Sequence, residues 1–419
     1  MDSYLTEPRR RTPVAAATQV LVAGGGIAGI AAALAAARHG KQVTLLERQF
    51  ALGGMATLGL VTIYLPLCDG RGNQLVFGIG EELLRLSIRH THEGSYPSAW
   101  LDGGTKQARV QRRFTAQFNP QLFALDAERL LREAGVRILY GTLAVDAVVE
   151  DGAIRAVIVE NKSGRTAIAA EAVIDCTGDA DLCALAGAPT RLKEGGNGLA
   201  SWYYYADGGQ VKLNMFGLAD VVPQREDSRP GGQSAYQAEK TESLDPGYRF
   251  SGVDGYELSE AVLAAHRRMF DDILARREAA PSLVPVTMST IPLVRMSRRL
   301  EGVAVMTRSD DHRRLADSVG MTGDWCRRGP AYEIPFGALH CAQIKNLLAA
   351  GRDISADDEM WNVTRVIPPC AVTGQAAGTA AALGSDFIAT DITELQRLLA
   401  ADGVKLHLTE GECEGYEPL

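Results

Sequence analysis

The sequence predicts an α/β fold: a parallel sheet joined to a β-meander and interrupted by an inserted α+β domain. Three observations predict it. A short valine- and leucine-rich run, Gln19–Ala23, meets a glycine cluster, an alanine-rich helical stretch and a second apolar run. Alternating strands with tight turns then follow between 137 and 176. The same texture returns only after 330, beyond a stretch of different composition.

Each element has its own signal. Behind Gln19 the run to Ala23 is wholly apolar, as a strand buried on both faces is. Gly24–Gly29 is the turn, Ile27–His39 the helix, Gly40 its stop and Lys41–Leu46 the second strand. Together they make one β-α-β unit of about 30 residues. Between 55 and 115 order weakens, with one amphipathic helix at Ile79–Ile88 and a polar run at His90–Tyr96. A helix is expected over Asn119–Ala134 and a strand over Arg137–Tyr140. Meander turns are expected at Asp151-Gly152 and Ser163-Gly164, and a buried strand at Ala172–Cys176. The inserted stretch carries Trp202-Tyr203-Tyr204-Tyr205, a glycine- and proline-rich loop over 222–247, a helix over Glu257–Arg277 and a strand pair over 285–308. The last elements are a strand at Asn346–Ala350, a helix at Thr373–Leu383 behind the halting pair Pro368-Pro369, and a helix at Asp391–Asp402. The implied layout is a flexible tail at 1–17, a discontinuous nucleotide domain at 18–65, 115–195 and 330–405, a cap at 66–114 and 196–329, and a tail at 406–419.

The glycine turn carries chemistry. Gly24 permits the tight turn, Gly26 lets a pyrophosphate approach the backbone, and Gly29 lets the helix pack on the strand. Ile27 and Ala28 then open a helix whose free N–H groups and partial positive charge suit phosphate. Glu47 stands 23 residues after Gly24, at the end of the second strand, where a carboxylate takes ribose hydroxyls. An acid there disfavours a 2′-phosphate, so the dinucleotide is NAD or FAD.

Residues 47–59 read E-R-Q-F-A-L-G-G-M-A-T-L-G. This stretch resembles a family of FAD-dependent oxidoreductases within the glutathione-reductase-like, two-dinucleotide-fold flavoprotein superfamily. A-V-I-D-C-T-G-D at 172–179, Y-E-I-P-F-G-A-L at 332–339, L-L-A-A-G-R-D-I-S-A-D at 347–357 and R-V-I-P-P-C-A-V-T-G-Q-A-A-G at 365–378 extend the likeness. The resemblance implies a Rossmann-like FAD-binding domain. It implies FAD contacts from Gly24, Gly26, Ile27, Ala28, Gly29, Glu47, Arg48, Gly53, Gly54, Met55, Ala56, Thr57, Val145, Thr177, Gly178, Gly351, Arg352, Asp353, Cys370, Thr373 and Gly374. Family members often have cysteine where Asp353 stands; the aspartate is nearer the superfamily's ribityl-binding acid. The helix start at 371–378 falls where the family places the flavin pyrimidine edge, and a positive helix end there favours reduced flavin.

Flavin carries the electrons, so protein groups position substrate and move protons. Arg299, in V-R-M-S-R-R-L-E-G, is a candidate for a substrate carboxylate or a developing anion; a structural salt bridge is the competing reading. Cys370 is a candidate thiol, expected to favour the thiolate before a helix start; a buried packing residue is its rival. His340, like His312, is a candidate acid–base group. Trp202–Tyr205 suit either a pocket wall or a strand packed on both faces. Tyr64 and Trp361 are weaker pocket candidates, and Asp179 and Asp181 are read as turn formers.

Bulk properties narrow the function. The chain has 419 residues, 46% hydrophobic content and net charge −8, which disfavours nucleic acid or an anionic membrane as partner. Seven scattered cysteines without a C-x-x-C pair argue against disulfides, zinc or iron–sulfur centres. Arg9-Arg10-Arg11 is reminiscent of a twin-arginine export signal, but the apolar run behind it is needed for the nucleotide fold, so a cytoplasmic enzyme is expected. The expected function is hydride transfer between a small organic substrate and bound FAD, with NAD(P)H or O2 visiting transiently and homo-oligomerisation left open. A non-redox, isomerase-like flavoenzyme and an electron-transfer subunit are the alternatives.

Overall fold

The computed structural model describes residues 9–90, 98–111, 116–216, 239–241 and 247–416. Most of the expected polar run His90–Tyr96, most of the 222–247 loop and the start of the expected N-terminal tail lie outside the described residues.

The main sheet has seven strands. β1 (Val14–Ala23) lies between β2 (Val43–Leu46) and β6 (Gly164–Asp175), parallel to both. β3 (Arg137–Leu139) extends the parallel array beyond β2. β4 (Leu143–Glu150) and β5 (Ala153–Asn161) form the meander with β6. β6 is the joint between the two halves. Its start pairs antiparallel with β5, and its end pairs in parallel with the last strand of the sheet, Leu347–Ala349. β1 begins earlier than its apolar core suggests, because Val14–Thr18 already pair along Ala167–Ala170. Residues 14–17 therefore belong to the sheet and not to a tail.

α1 (Ile27–Arg38) follows the turn, and its alanine-rich body is buried almost throughout. It packs through small residues against α6 (Ile367–Leu383), which follows the short α5 (Asp358–Thr364). A Cβ on Gly374 would lie 2.2 Å from the Ala28 carbonyl oxygen, and one on Gly378 would lie 2.2 Å from that of Ala32. α2 (Ile79–Ile88) and α3 (Pro120–Glu133) complete this layer, with Leu83, Leu84, Phe123 and Leu131 in the same core as α1. The segment 79–88, expected in the cap, is thus built into the nucleotide domain. The prolines at 368 and 369 do not halt the chain. They occupy the first turn of α6, where a missing N–H costs nothing.

The inserted layer is a four-stranded sheet backed by α4 (Gly255–Ala279). The strand Ser201–Asp207 carries the aromatic run. Tyr203 and Tyr205 face α4, where the Tyr203 hydroxyl donates to Asp272 at 2.6 Å. Trp202 and Tyr204 face the nucleotide domain, Trp202 against Leu60 and Leu293, Tyr204 bonded to Thr62 and Gln117. The expected strand pair over 285–308 is not a pair. Val284–Met288 joins Ser201–Asp207, whereas Arg298–Leu300 joins Thr190–Leu192. The C-terminal stretch is not a simple tail either. Glu410–Cys413 is a helical turn closed by a Thr409/Glu412 capping box, and the Tyr416 hydroxyl donates to Asp311.

Candidate active site

A cavity of about 1080 Å³ runs from the glycine turn to the inserted layer. That is at the upper end of the volumes small-molecule sites show, roughly 300–1,000 Å³. Gly24, Gly26, Ile27 and Ala28 form one wall. Gly24 has φ +103 and packs so closely on the Cys176 carbonyl that no side chain fits. Gly29 is not in the wall; a Cβ there would lie 1.8 Å from the Gly24 carbonyl oxygen, so its task is packing. A Cβ on Gly26 would meet nothing within 4 Å. α1 has no side-chain cap and no acid in its first turn, which leaves its first N–H groups for a ligand.

Glu47 lines the next part of the wall with Arg48 and Gln49. Its carboxylate accepts from Gly25 N–H at 2.8 Å and Gln49 N–H at 2.7 Å, which fixes it at the end of β2. Gly53, Gly54, Met55 and Ala56 line the cavity beside it; Thr57 does not, because its hydroxyl turns inward to Leu52 O at 2.6 Å. Thr142, Leu143 and Ala144 contribute where Val145 was expected.

At the far end the walls are Thr177 and Gly178, Gly351 and Arg352, and Val366, Ile367 and Cys370 at the start of α6. Asp353 is not among them. It is fully buried, and its carboxylate accepts from the N–H groups of Gly178 at 3.0 Å and Ala180 at 3.3 Å. Burial, with Asp175 nearby, pushes its pKa well up. Arg352 faces the cavity instead, held by Asp179 at 2.7 Å and by the Val294 carbonyl. Thr373 and Gly374 also sit behind the wall. The Thr373 hydroxyl accepts from Gly351 N–H at 3.0 Å, and Gly374 packs on α1.

The catalytic candidates separate. Cys370 lines the cavity, but burial followed by the Asp353 charge pushes its thiol up to about 12, so the helix start does not yield a thiolate. Arg299 lies outside the cavity wall, 4% exposed, over the Trp361 ring and 3.7 Å from Asp358. His340 is also outside the wall, buried against Phe336. Burial lowers its pKa, so it is neutral in the fold and charged first in the unfolded chain. Its contribution is complete above the unfolded value and lost as pH falls through it. His340→Gln should therefore flatten the loss of thermal stability between pH 7 and 5 while leaving the pH profile of turnover unchanged; a displaced turnover profile would return His340 to the chemistry.

Sequence reasoning missed several cavity residues: Arg365, Trp325, Cys326, Met215 and the segments 252–255 and 291–294. Arg295 and Trp202, only weakly marked, are there too. Arg365 carried one signal. No acid stands three or four residues before it, where Trp361 and Asn362 lie, so it is not a routine helical ion pair.

A family model described as FAD dependent oxidoreductase matches residues 19–399. The chain belongs to this family. It is an FAD-dependent oxidoreductase, and the glycine turn, Glu47 and the open space at Gly26 fit that cofactor. No curated protein matches the chain. Among solved structures it is similar to a geranylgeranyl bacteriochlorophyll reductase-like protein from Thermoplasma acidophilum, at 13% identity over 96% of this chain and 97% of that one, TM-score 0.42. It is similar to L-proline dehydrogenase from P. horikoshii, at 10% identity over 92% and 99%, TM-score 0.41. A third likeness is to 3-ketosteroid-Δ4-(5α)-dehydrogenase from Rhodococcus jostii RHA1, at 14% identity over 88% and 98%, TM-score 0.39. Scores this low transfer no substrate. No described helix is long and apolar enough to cross a membrane.

Proposed function

We propose that this enzyme transfers hydride between FAD and a small organic substrate within the one cavity. The supporting observation is continuity: the glycine turn, the start of α6 and the inserted layer all line a single space. Gly24, Gly26 and the first amides of α1 would hold the pyrophosphate, Glu47 the adenosine ribose, and Gly351, Arg352 and the start of α6 the flavin half. When bound, FAD supplies the two-electron chemistry. Trp202, Met215 and Leu293 of the inserted layer exclude water from the opposite wall. The positive end of the 17-residue α6 favours negative charge beside Ile367 and Cys370.

We further read the chain as a member of the two-dinucleotide-fold superfamily, acting in the cytoplasm, with NAD(P)H or O2 as a transient partner. The test is the visible spectrum of the purified holoenzyme under anaerobic conditions, before and after NADH or NADPH. Bleaching makes nicotinamide the donor. A persistent band that an organic substrate then bleaches makes that substrate the donor. Absence of flavin binding after reconstitution with FAD would overturn the cavity assignment.

A further inference from the structure

α4 has two apolar faces, and the fold uses one of them. Ala261, Ala265 and Met269, four residues apart, are its buried side. Ala261 shares a core with Leu199 and Phe250, and Met269 shares one with Tyr203 and Tyr205. The opposite side carries Glu260, Leu263, Arg267, Phe270, Leu274 and Arg277, all exposed. Leu263 is 57% exposed, Phe270 60% and Leu274 46%. One exposed leucine on a surface helix is ordinary. Three large apolar side chains in line on the solvent face of one helix are not, and such a stripe marks a contact surface.

The spacing of the stripe defines the kind of contact. Its members alternate at intervals of three and four residues from 260 to 277. That is the heptad seam of a coiled coil, which stays against a partner helix along its length. The seam covers about 26 Å of α4.

The charges on the seam define the partner. Against a second α4 running antiparallel, the heptad sets Glu260 across from Arg277, Leu263 across from Leu274, and Arg267 across from Phe270. Opposite charges meet, leucine meets leucine, and a guanidinium lies on an aromatic ring. Each pair occurs twice about a two-fold axis, so the surface is complementary to itself. A parallel copy would instead set Glu260 on Glu260, Arg267 on Arg267 and Arg277 on Arg277, where like charges repel. Sliding the antiparallel copy by one heptad sets Glu260 against Phe270 in one direction and Arg267 against Arg277 in the other. One register alone satisfies the seam.

We propose that two copies of this chain associate through the outer face of α4, antiparallel and in this register. The first turns of the same helix line the cavity at Gly255 and Leu258, so the contact starts two residues from the cavity wall, at Glu260.

The experiment is sedimentation velocity on the FAD-loaded, full-length enzyme. A single helix pair is a small interface, so a monomer–dimer equilibrium with a midpoint at or below about 10 µM is expected. Leu274→Lys should raise that midpoint at least about 10-fold, with FAD content and circular dichroism unchanged, because the side chain it replaces is not part of the monomer's core. Glu260→Arg and Arg277→Glu should each weaken the dimer by setting like charges across the axis. The double variant Glu260→Arg/Arg277→Glu should restore it to within about 3-fold of the parent, since each new charge again meets its opposite. A protein still monomeric at about 100 µM would overturn the proposal and leave the face to a different partner. A dimer untouched by Leu274→Lys would overturn it by placing the interface elsewhere. A double variant no better than the single ones would overturn the antiparallel register. Binding of a monomeric parent to phosphatidylglycerol vesicles, lost in Leu274→Lys, would overturn it by assigning the stripe to lipid.

Discussion

Replacing Gly26 with valine is expected to remove FAD from a protein that still folds. The reason is the direction in which a side chain would grow. Gly26 has φ −70 and ψ −174, an extended conformation that any residue adopts. A Cβ there meets no protein atom within 4 Å, because it enters the cavity over the start of α1. The apoprotein should lose little, with a Tm within about 2 °C of the FAD-free parent, as for substitutions that disturb no buried contact. FAD affinity should fall at least about 100-fold, or about 2.7 kcal/mol, since the new methyls occupy the path of the pyrophosphate. Gly29 supplies the contrast. Gly29→Ala drives a methyl to 1.8 Å from the Gly24 carbonyl oxygen, so the turn and α1 cannot both keep their places. That variant should lose more than about 4 kcal/mol and be recovered mainly as insoluble chain. Flavin content and thermal melting of the two proteins check the pair. If Gly26→Val kept one FAD per chain, the pyrophosphate would not cross this turn.

These two glycines also show how far the sequence could be read. Both belong to one motif, and the motif already gave them different tasks, Gly26 beside the pyrophosphate and Gly29 against the strand. The resemblance nevertheless counted Gly29 among the FAD contacts, and it packs on the Gly24 carbonyl outside the cavity wall. The β-α-β unit was legible because short apolar strands, an alanine-rich helix and a glycine turn are local signals. The far end of the cavity was less so. In G-R-D at 351–353 all three residues were expected contacts, with the acid given the ribityl role, yet the turn points Asp353 back at the amides of Gly178 and Ala180 and leaves only Gly351 and Arg352 on the cavity side. Neighbouring residues in a tight turn face opposite ways, and only the tertiary setting of Thr177–Ala180 decides which way. Arg365 escaped notice for a related reason. It lies at the junction of two helices, and its place in the cavity becomes visible only when the inserted segment at 291–295 closes the same space. Cys370 lines the cavity, but the thiolate expected of it before a helix start does not follow. A helix start lowers a thiol pKa only where burial does not outweigh it, and here burial wins.

The second large effect concerns α6, whose position decides what its positive end can reach. Gly374→Ala should abolish stable folding, because a methyl 2.2 Å from the Ala28 carbonyl oxygen forces α1 and α6 apart at their closest approach. The neighbouring Thr373→Val should be far milder. It keeps the shape and removes only the oxygen that accepts from Gly351 N–H at 3.0 Å, and an orphaned buried donor costs about 1–3 kcal/mol. The two substitutions therefore act on different variables. Gly374 sets the distance between α6 and the nucleotide turn, while Thr373 ties the start of α6 to the Gly351 turn. Had these residues touched the cofactor, both variants would fold and both would lose FAD alike. If they hold the wall from behind, Thr373→Val should melt lower by a few degrees yet retain FAD, with its flavin band shifted as the Gly351 backbone loosens. Gly374→Ala should yield no folded protein to load. A folded, FAD-free Gly374→Ala would place the glycine against the cofactor and would require α1 and α6 to pack less closely than they do here.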